Sequence, residues 1–276
     1  MPPLTVLVIG RGANRGIGFE LARKLTVNGH QVFGTYRPVT RDDPTVQQLK
    51  AYKIPTFEVD LTDEDSIMRL AEDYATHPRG GALDVLINCA GIYFPLSDRP
   101  FQAFTADDLL EHFKVNTIGP FLTSKHLTRS LRGSPWGGRI LNISSDAASI
   151  ADNTGGNLPY RLSKTALNQL TATIAAEGTR PSLFEDGYSS LEAAVGGVVG
   201  AGNIANGGGG AGALTAISVH PGHTGFWKRD DLERCVDGVA ALVERLCDGD
   251  DGRKGGRGRE LEAGAFYRWD GKKLSW

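Results

Sequence analysis

Short apolar runs alternate with longer amphipathic stretches along most of the chain. The apolar runs have the length of strands and lie at residues 4–9, 31–35, 56–59, 83–87, 139–143, 215–219 and 265–269. The stretches between them place apolar residues three or four positions apart, which is the spacing of one helix face. Strands that alternate with helices are typical of βαβ units. We therefore predict an α/β fold, a doubly wound parallel sheet of about seven strands with helices on both faces.

Polar residues at the ends of these stretches predict where several helices begin. Thr62 with Asp65, and Thr105 with Asp108, have the spacing of a capping box, in which side chain and backbone satisfy each other's hydrogen bonds. Apolar stripes predict helices over residues 16–27, 109–131, 159–177 and 232–246. Each of these helices follows a predicted strand, as the βαβ pattern requires.

One segment interrupts the alternation. Residues 178–213 connect a helix to a strand over 36 residues, whereas such connections are commonly about 2–6 residues long. The segment is rich in glycine and has too few apolar side chains to offset the entropy of ordering it. We predict a single domain over residues 1–276 with a flexible insertion at 178–213. A lid over the substrate, a helix docked near residues 191–199 and a splicing error in the gene prediction are the alternatives.

Composition and charge exclude several classes of function. The chain has 276 residues, of which 40% are hydrophobic and 22% charged, as is ordinary for a globular domain. A formal net charge of −2 with mixed signs argues against nucleic acid or an anionic membrane surface as a partner. The basic cluster at residues 253–259 follows several aspartates and is interpreted as a solvated loop.

The cysteines and the N-terminus indicate a soluble protein of the cytoplasm. Cys89, Cys235 and Cys247 lack the spacing of a disulfide framework or a metal site, so we expect neither. A reducing compartment suits them. The N-terminus lacks the basic segment of a signal peptide, and no apolar stretch is long enough to cross a membrane.

A glycine-rich loop directly after the first strand predicts a dinucleotide site. Gly12, Gly16 and Gly18 let the backbone turn tightly, approach a pyrophosphate and pack the next helix against the strand. The free N–H groups at the start of that helix then face the phosphates. The spacing differs from the G-x-G-x-x-G pattern, so the place between a strand and a helix is the stronger part of the signal. Asn14 and Ile17 belong to the same loop.

Two arginines predict a preference for NADP(H) over NAD(H). An NAD site commonly has an acidic residue at the end of the second strand, where it binds the ribose 2′-hydroxyl. This chain has Arg37 there and Arg15 in the glycine loop, and a guanidinium pairs well with a 2′-phosphate. The alternative is that both arginines are solvated.

Tyr160 and Lys164 are the strongest candidates for catalysis. Their spacing places the phenol and the ammonium on one face of the predicted helix 159–177, one turn apart. A phenol has a pKa of about 10, and we expect the fixed cation to lower that pKa towards the working range of a proton donor. Ser145, after the fifth predicted strand, offers a hydroxyl that can hold a carbonyl oxygen.

Together these residues resemble the short-chain dehydrogenase/reductase family over most of the chain. The motifs occur in the family's order: the glycine loop with Arg11 in place of the usual Thr, Asp60-Leu61 after strand three, Asn88-Cys89-Ala90-Gly91 after strand four, Asn116, Ser145, the Tyr160–Lys164 pair, Pro221-Gly222 with Thr224, and a tail ending at Trp276. Thr224 stands one position earlier than the family's Thr. The tail is similar to that of the carbonyl-reductase-like branch. The resemblance implies a Rossmann-type fold.

The resemblance also implies an NADPH-dependent reductase of a ketone or aldehyde. Tyr160 would donate the proton, and Lys164 would bind the nicotinamide ribose and lower the phenol pKa. Ser145 would polarise the carbonyl, and Asn116 would hold a water between Lys164 and solvent. The candidate cofactor contacts are Gly12, Asn14, Arg15, Gly16, Ile17, Gly18, Arg37, Asp60, Leu61, Asn88, Ala90, Gly91, Lys125, Tyr160, Lys164, Pro221, Gly222 and Thr224.

The resemblance leaves the substrate and the partner chain open. The substrate is expected to be a small carbonyl compound in a pocket formed by residues 92–100, 147–159, the insertion and 225–231. The Tyr160 helix often forms a subunit interface in the family, which implies a homodimer or homotetramer, but here it leads into the insertion. A cofactor-binding scaffold or signalling protein with little turnover and a biosynthetic tailoring reductase are the alternatives. Ser145 and Tyr160 favour catalysis, because a protein that only binds the cofactor needs neither.

Overall fold

Seven strands of the described chain form one parallel, Rossmann-type sheet, as predicted. The computed structural model describes residues 2–10, 16–93, 99–178, 213–222, 229–247 and 261–276, without the side chains of 229–231. The strands are β1 (Thr5–Ile9), β2 (Gln31–Tyr36), β3 (Thr56–Glu58), β4 (Val85–Asn88), β5 (Gly138–Ile143), β6 (Leu214–His220) and β7 (Phe266–Arg268). Their order is β3-β2-β1-β4-β5-β6-β7, and each neighbouring pair is parallel. The chain reverses its direction of winding between β1 and β4, where sheets of this kind bind ligands.

Helices cover both faces of the sheet. They are α1 (Gly16–Val27), α2 (Pro44–Ala51), α3 (Glu64–Thr76), α4 (Ala106–Phe113), α5 (Gly119–His126), α6 (Thr128–Arg132), α7 (Leu158–Gly178) and α8 (Arg229–Cys247). One core packs α1, α2 and α8 against one face, and a second core packs α3, α5, α6 and α7 against the other. Val6 and Val8 of β1 enter the first core, and Leu7 and Ile9 enter the second. Burial on both faces explains why the apolar runs are continuous.

One of the two predicted capping boxes is confirmed. Thr105 and Asp108 form a complete capping box at the start of α4. The predicted start at Thr62 is wrong by one residue, because Asp63 is the N-cap of α3 and accepts from the backbone N–H of Asp65. The reason is local: the N–H and hydroxyl of Thr62 both donate to Asp60 Oδ1, at 2.9 and 2.7 Å.

The single helix predicted over residues 109–131 is interrupted. A π-helical turn, Lys114–Ile118, separates α4 from α5, and α6 follows a further break. Pro120 has no N–H to donate to the carbonyl of Asn116 four residues earlier, so the regular α-helical ladder cannot continue there. The helix forms a wider, π-helical turn there, in which the N–H of Gly119 donates to the carbonyl of Lys114, five residues earlier. Asn116 lies in the middle of this turn.

Some predictions fall outside the described residues. These are Arg11, Gly12, Asn14, Arg15 and Thr224 of the candidate cofactor site, residues 179–212 of the predicted insertion, the basic cluster at 253–259, and residues 94–98 and 225–228 of the expected pocket. The described helices include none long and apolar enough to cross a membrane.

Candidate active site

The four predicted catalytic side chains meet at the carboxyl edge of the sheet. A β-carbon on Gly91, after β4, would lie 3.4 Å from both Asn116 Oδ1 and Lys164 Nζ, so the glycine leaves room for both side chains. Lys164 Nζ lies over the Tyr160 ring, 5.9 Å from its centre. The Tyr160 phenol in turn interacts with the Ser145 hydroxyl. The loop after β4, the turn after β5 and helix α7 therefore converge on one place.

Lys164 is buried, and the backbone holds its ammonium. The residue is 3% exposed, and Nζ donates a hydrogen bond to the Ile143 carbonyl at 2.8 Å. Burial lowers the pKa of the Lys164 ammonium to about 8, and the nearby Cys89 thiol has a lesser, opposing effect. The lysine therefore changes charge close to neutral pH.

The Tyr160 phenol is harder to ionise than the sequence predicted. Burial raises its pKa to about 12; the Ser145 hydroxyl lowers it, and the Asp146 carboxylate and the Tyr93 phenol raise it. The expectation that Lys164 brings this pKa towards neutrality is wrong for the protein alone. The ammonium is bound to a backbone carbonyl, 5.9 Å from the centre of the Tyr160 ring. The phenol consequently keeps its proton.

Ser145 is oriented by the short 3₁₀ turn that it begins. Its hydroxyl accepts from a backbone N–H of the turn at 3.2 Å and donates to Asp146 Oδ1 at 3.0 Å. His220 Nδ1, at the end of β6, is 3.9 Å from the same carboxylate oxygen. The neighbouring Ser144 is buried, and its hydroxyl has no hydrogen-bond partner among the described residues. Ser145, and not Ser144, therefore faces Tyr160.

Asn116 joins the two segments that carry the site. Its carboxamide oxygen accepts from the backbone N–H of Ile92 at 2.8 Å, and its amide nitrogen donates to the Ile92 carbonyl at 3.0 Å. The same nitrogen donates to Ser163 Oγ at 3.0 Å, and that hydroxyl donates to the Tyr160 carbonyl at 2.8 Å. The side chain therefore fixes the loop after β4 against the start of α7.

Tyr93 contacts the proton-donor candidate, which the sequence did not predict. Its ring meets that of Tyr160 edge to face, with centroids 5.0 Å apart and planes at 90°. The sequence assigned Tyr93 only to a general pocket stretch at residues 92–100. The two tyrosines are far apart along the chain, so no local pattern signals their contact.

The glycine loop begins and ends in well-defined positions. Gly16 starts α1 with a φ of +59°, a left-handed conformation that favours glycine. Ile17 is half-buried and Gly18 is buried. At the other end of the loop, the Gly10 N–H donates to Thr35 Oγ1 of β2 at 3.1 Å. Thr35 is a second residue that the sequence did not single out, although a buried threonine at the end of a strand is a usable signal.

The residues after β2 and β3 can receive the adenosine half of a dinucleotide. The Nε of Arg37 is buried and has no hydrogen-bond partner among the described residues. A buried donor is costly to leave unpaired, so this guanidinium fits an anionic group. Asp60 is half-buried, with Oδ1 bound to Thr62, and Leu61 beside it is buried.

Several other predicted contacts lie at the same edge. The Asn88 side chain donates to Asn142 Oδ1 and accepts from Thr123 Oγ1, both at 2.8 Å, so it is bound within the protein. The Ala90 N–H donates to the carbonyl of Ile9 at 3.0 Å and ties β4 to β1. Two further predicted residues directly follow β6: Pro221 is buried, and Gly222 has a φ of +93°.

Lys125 pairs with a residue that is not among the candidates. Its ammonium pairs with Glu64 Oε1 at 2.9 Å, and its side chain is 52% exposed. His126 Nε2 lies 2.8 Å from the same oxygen. Lys125 is nine residues beyond Asn116, which corresponds to about 13 Å of helix. A contact between Lys125 and a cofactor stays a prediction.

Comparison with known proteins establishes the family. The sequence profile of the short chain dehydrogenases matches residues 5–182, which is more than half of the chain. The chain belongs to the short-chain dehydrogenase/reductase family. As a short-chain dehydrogenase/reductase, the protein has the NAD(P)H-binding fold of the family. The unpaired Arg37 Nε and the glycine at position 16 fit such a cofactor.

The relatives of this short-chain dehydrogenase/reductase differ in how much of each chain the match covers. Retinol dehydrogenase 5 from Mus musculus is 30% identical over 193 residues, which is 68% of this chain but only 58% of that protein. The NADPH-bound carbonyl reductase from chicken fatty liver is 25% identical, with a TM-score of 0.73 over 100% of both chains. Carbonyl reductase Sniffer of D. melanogaster has a TM-score of 0.73 over 99% of this chain and 100% of that one. At 23% identity it supports the fold alone.

Proposed function

We propose that the protein is an NADPH-dependent reductase that transfers a hydride to a ketone or aldehyde carbonyl, with Tyr160 as the proton donor. The observation that carries this proposal is the convergence of Ser145, Tyr160, Lys164 and Asn116 at the carboxyl edge of the sheet. A protein that only bound the cofactor would need neither the serine hydroxyl nor the phenol. The likeness to the chicken carbonyl reductase supports the same reaction class.

The chain itself supplies the acid and the polarising group. NADPH, when bound, supplies the hydride that goes to the carbonyl carbon. The Tyr160 hydroxyl donates a hydrogen bond to the carbonyl oxygen and transfers its proton as negative charge develops there. The Ser145 hydroxyl turns from Asp146 and donates a second hydrogen bond to the same oxygen. The products are an alcohol and the oxidised cofactor, and Tyr160 is left as a phenolate.

Lys164 and Asn116 support the return of the proton to Tyr160. The Lys164 ammonium binds the Ile143 carbonyl and has further N–H donors for the ribose of the cofactor and for the water that returns the proton. The backbone carbonyl of Asn116 cannot accept a hydrogen bond from the residue four positions on, because that residue is Pro120, which has no N–H. We assign this carbonyl to a water that passes protons from solvent to Lys164.

The high pKa of the Tyr160 phenol favours reduction over oxidation. Reduction needs a protonated phenol, and burial keeps the proton on Tyr160 by raising its pKa to about 12. Oxidation of an alcohol would need the phenolate as the base.

Consumption of NADPH by the purified protein tests the proposed function. Ketones, aldehydes and quinones are supplied one at a time, and the loss of NADPH and the formation of the alcohol are both measured. Stoichiometric formation of an alcohol is the expected result. Tight binding of NADPH without consumption by any of these compounds would identify a cofactor-binding scaffold instead.

Arg37 is expected to determine the preference for NADPH. Replacing Arg37 by alanine should lower kcat/KM for NADPH by about 10- to 100-fold, because a charged hydrogen bond to the 2′-phosphate is lost. The value for NADH should stay within about twofold, since NADH lacks that phosphate. Initial rates with both cofactors at a fixed ketone concentration measure the change.

Arg41→Ala is the matched control for Arg37. Arg41 follows closely in the chain, but its guanidinium pairs with Glu58, with Nη2 2.7 Å from Oε2. Its removal should leave the ratio of the two cofactors unchanged. A tenfold or larger preference of the wild-type protein for NADH would contradict the assignment.

The remaining features stay predictions. They are the homodimer or homotetramer, the cytoplasmic location, and the single domain with a flexible insertion at residues 178–213.

A further inference from the structure

The ring of Tyr93 lies exposed beside the proton donor. It contacts Tyr160 edge to face at a centroid distance of 5.0 Å, yet 54% of Tyr93 is exposed. A tyrosine that served only to pack Tyr160 in place would bury most of its own ring as well. About half of Tyr93 is therefore left accessible next to Tyr160.

The position of this ring is restrained by its backbone. The preceding residue, Ile92, is 2% exposed. Both its N–H and its carbonyl are bound by the Asn116 carboxamide, at 2.8 and 3.0 Å. Asn116 is also linked through Ser163 to the Tyr160 carbonyl. Tyr93 and Tyr160 are therefore held by the same hydrogen-bond network, and the exposed ring has a defined place relative to the phenol.

We propose that the Tyr93 ring forms one wall of the carbonyl site and selects substrates whose carbonyl bears a planar aromatic group. The inference rests on the proposed function, because it assumes that Tyr160 holds the carbonyl oxygen. The Tyr160 hydroxyl is attached to the ring that Tyr93 contacts. An aromatic substituent on the Tyr93 side of a carbonyl held there would face this ring, and aromatic rings attract each other at centroid distances of about 4.5–7 Å.

The other groups around the phenol favour the same assignment. Ser145 and Asp146, which also act on Tyr160, present a hydroxyl and a carboxylate. Those groups suit the polar carbonyl oxygen and its surroundings rather than an aryl ring. Tyr93 is the aromatic surface that the described residues place in contact with Tyr160. The aryl substituent is thereby assigned to the Tyr93 side.

A pair of ketones with the same skeleton tests this inference. Acetophenone and cyclohexyl methyl ketone differ in whether the six-membered ring is planar and aromatic. The readout is kcat/KM for the first divided by kcat/KM for the second, with saturating NADPH. Tyr93→Leu and Tyr93→Ala are each expected to lower this ratio by about three- to tenfold relative to wild type, mainly through KM. Tyr93→Phe keeps the ring and should retain the ratio within about twofold.

The ratio of the two kcat/KM values distinguishes substrate selection by Tyr93 from a purely structural role of Tyr93. If Tyr93 only positioned Tyr160, its removal would slow both ketones equally and leave the ratio unchanged. Tyr52→Ala is the matched control, because Tyr52 is 41% exposed and meets Phe19 edge to face at 6.3 Å outside the site. An unchanged ratio in Tyr93→Leu, with both ketones still reduced, would overturn the inference and leave the proposed function standing. A wild-type protein that reduced neither these nor any other carbonyl compound would overturn both.

Discussion

Replacement of Tyr160 by phenylalanine is expected to abolish carbonyl reduction while the protein still binds NADPH. The variant keeps the ring, its contact with Tyr93 and the Lys164 ammonium above it, and loses only the hydroxyl that carries the proton. General acid catalysis contributes about 10²- to 10⁴-fold, so kcat should fall by that factor. Stopped-time assays of alcohol formation measure kcat, and fluorescence titration of NADPH measures binding.

Tyr52→Phe is the control for the loss of a tyrosine hydroxyl. Tyr52 is similarly part of an edge-to-face pair, but it lies on the α1–α2 side of the molecule. Its variant should retain wild-type kcat. Substantial turnover by the Tyr160→Phe protein would show that another group donates the proton and would remove the basis of the proposed mechanism.

The charge of Lys164 is expected to control the activity at alkaline pH. Burial lowers the pKa of this ammonium to about 8, so the group is positive below that pH and neutral above it. The reaction needs the positive form, and kcat/KM for NADPH, which reports on the free enzyme, should therefore fall as the pH rises through about 8. Tyr160 is not the titrating group, because its phenol, with a pKa of about 12, stays protonated over that range.

Two variants identify the group behind this pH dependence. Lys164→Met removes the charge at every pH, so kcat should fall by about 10²-fold or more. The fall of kcat/KM near pH 8, which is the alkaline limb of the pH profile, should disappear. Lys164→Arg keeps a charge that cannot be lost in this range, so its residual activity should show no limb near pH 8. Persistence of the wild-type limb in Lys164→Met would mean that the lysine does not control it.

The strands and the start of α4 could be predicted because their signals are local. Continuous apolar runs such as residues 6–9 are what strands buried on both faces require. Thr105 and Asp108 satisfy each other within a single turn. The break near Asn116 also had a local cause, since Pro120 removes one backbone donor, and it could have been predicted from the sequence.

The contacts between distant segments could not be predicted in this way. The edge-to-face meeting of Tyr93 with Tyr160 and the bond from Gly10 to Thr35 both join residues from separate elements. The phenol pKa was predicted in the wrong direction for the same reason. A spacing of four residues indicates that Lys164 is near Tyr160, but it does not indicate how deeply either is buried.

The alternating α/β architecture and the residues capable of chemistry were predictable from the sequence alone, because periodicity and short motifs depend on neighbours along one element. How those residues act together depends on the packed structure. It placed Lys164 Nζ on a backbone carbonyl, used the Asn116 carboxamide to join two segments and left the Tyr93 ring exposed beside the donor. Burial, hydrogen-bond partners and charge states depend on surfaces from several elements, and these surfaces exist only once the sheet and its helices have packed.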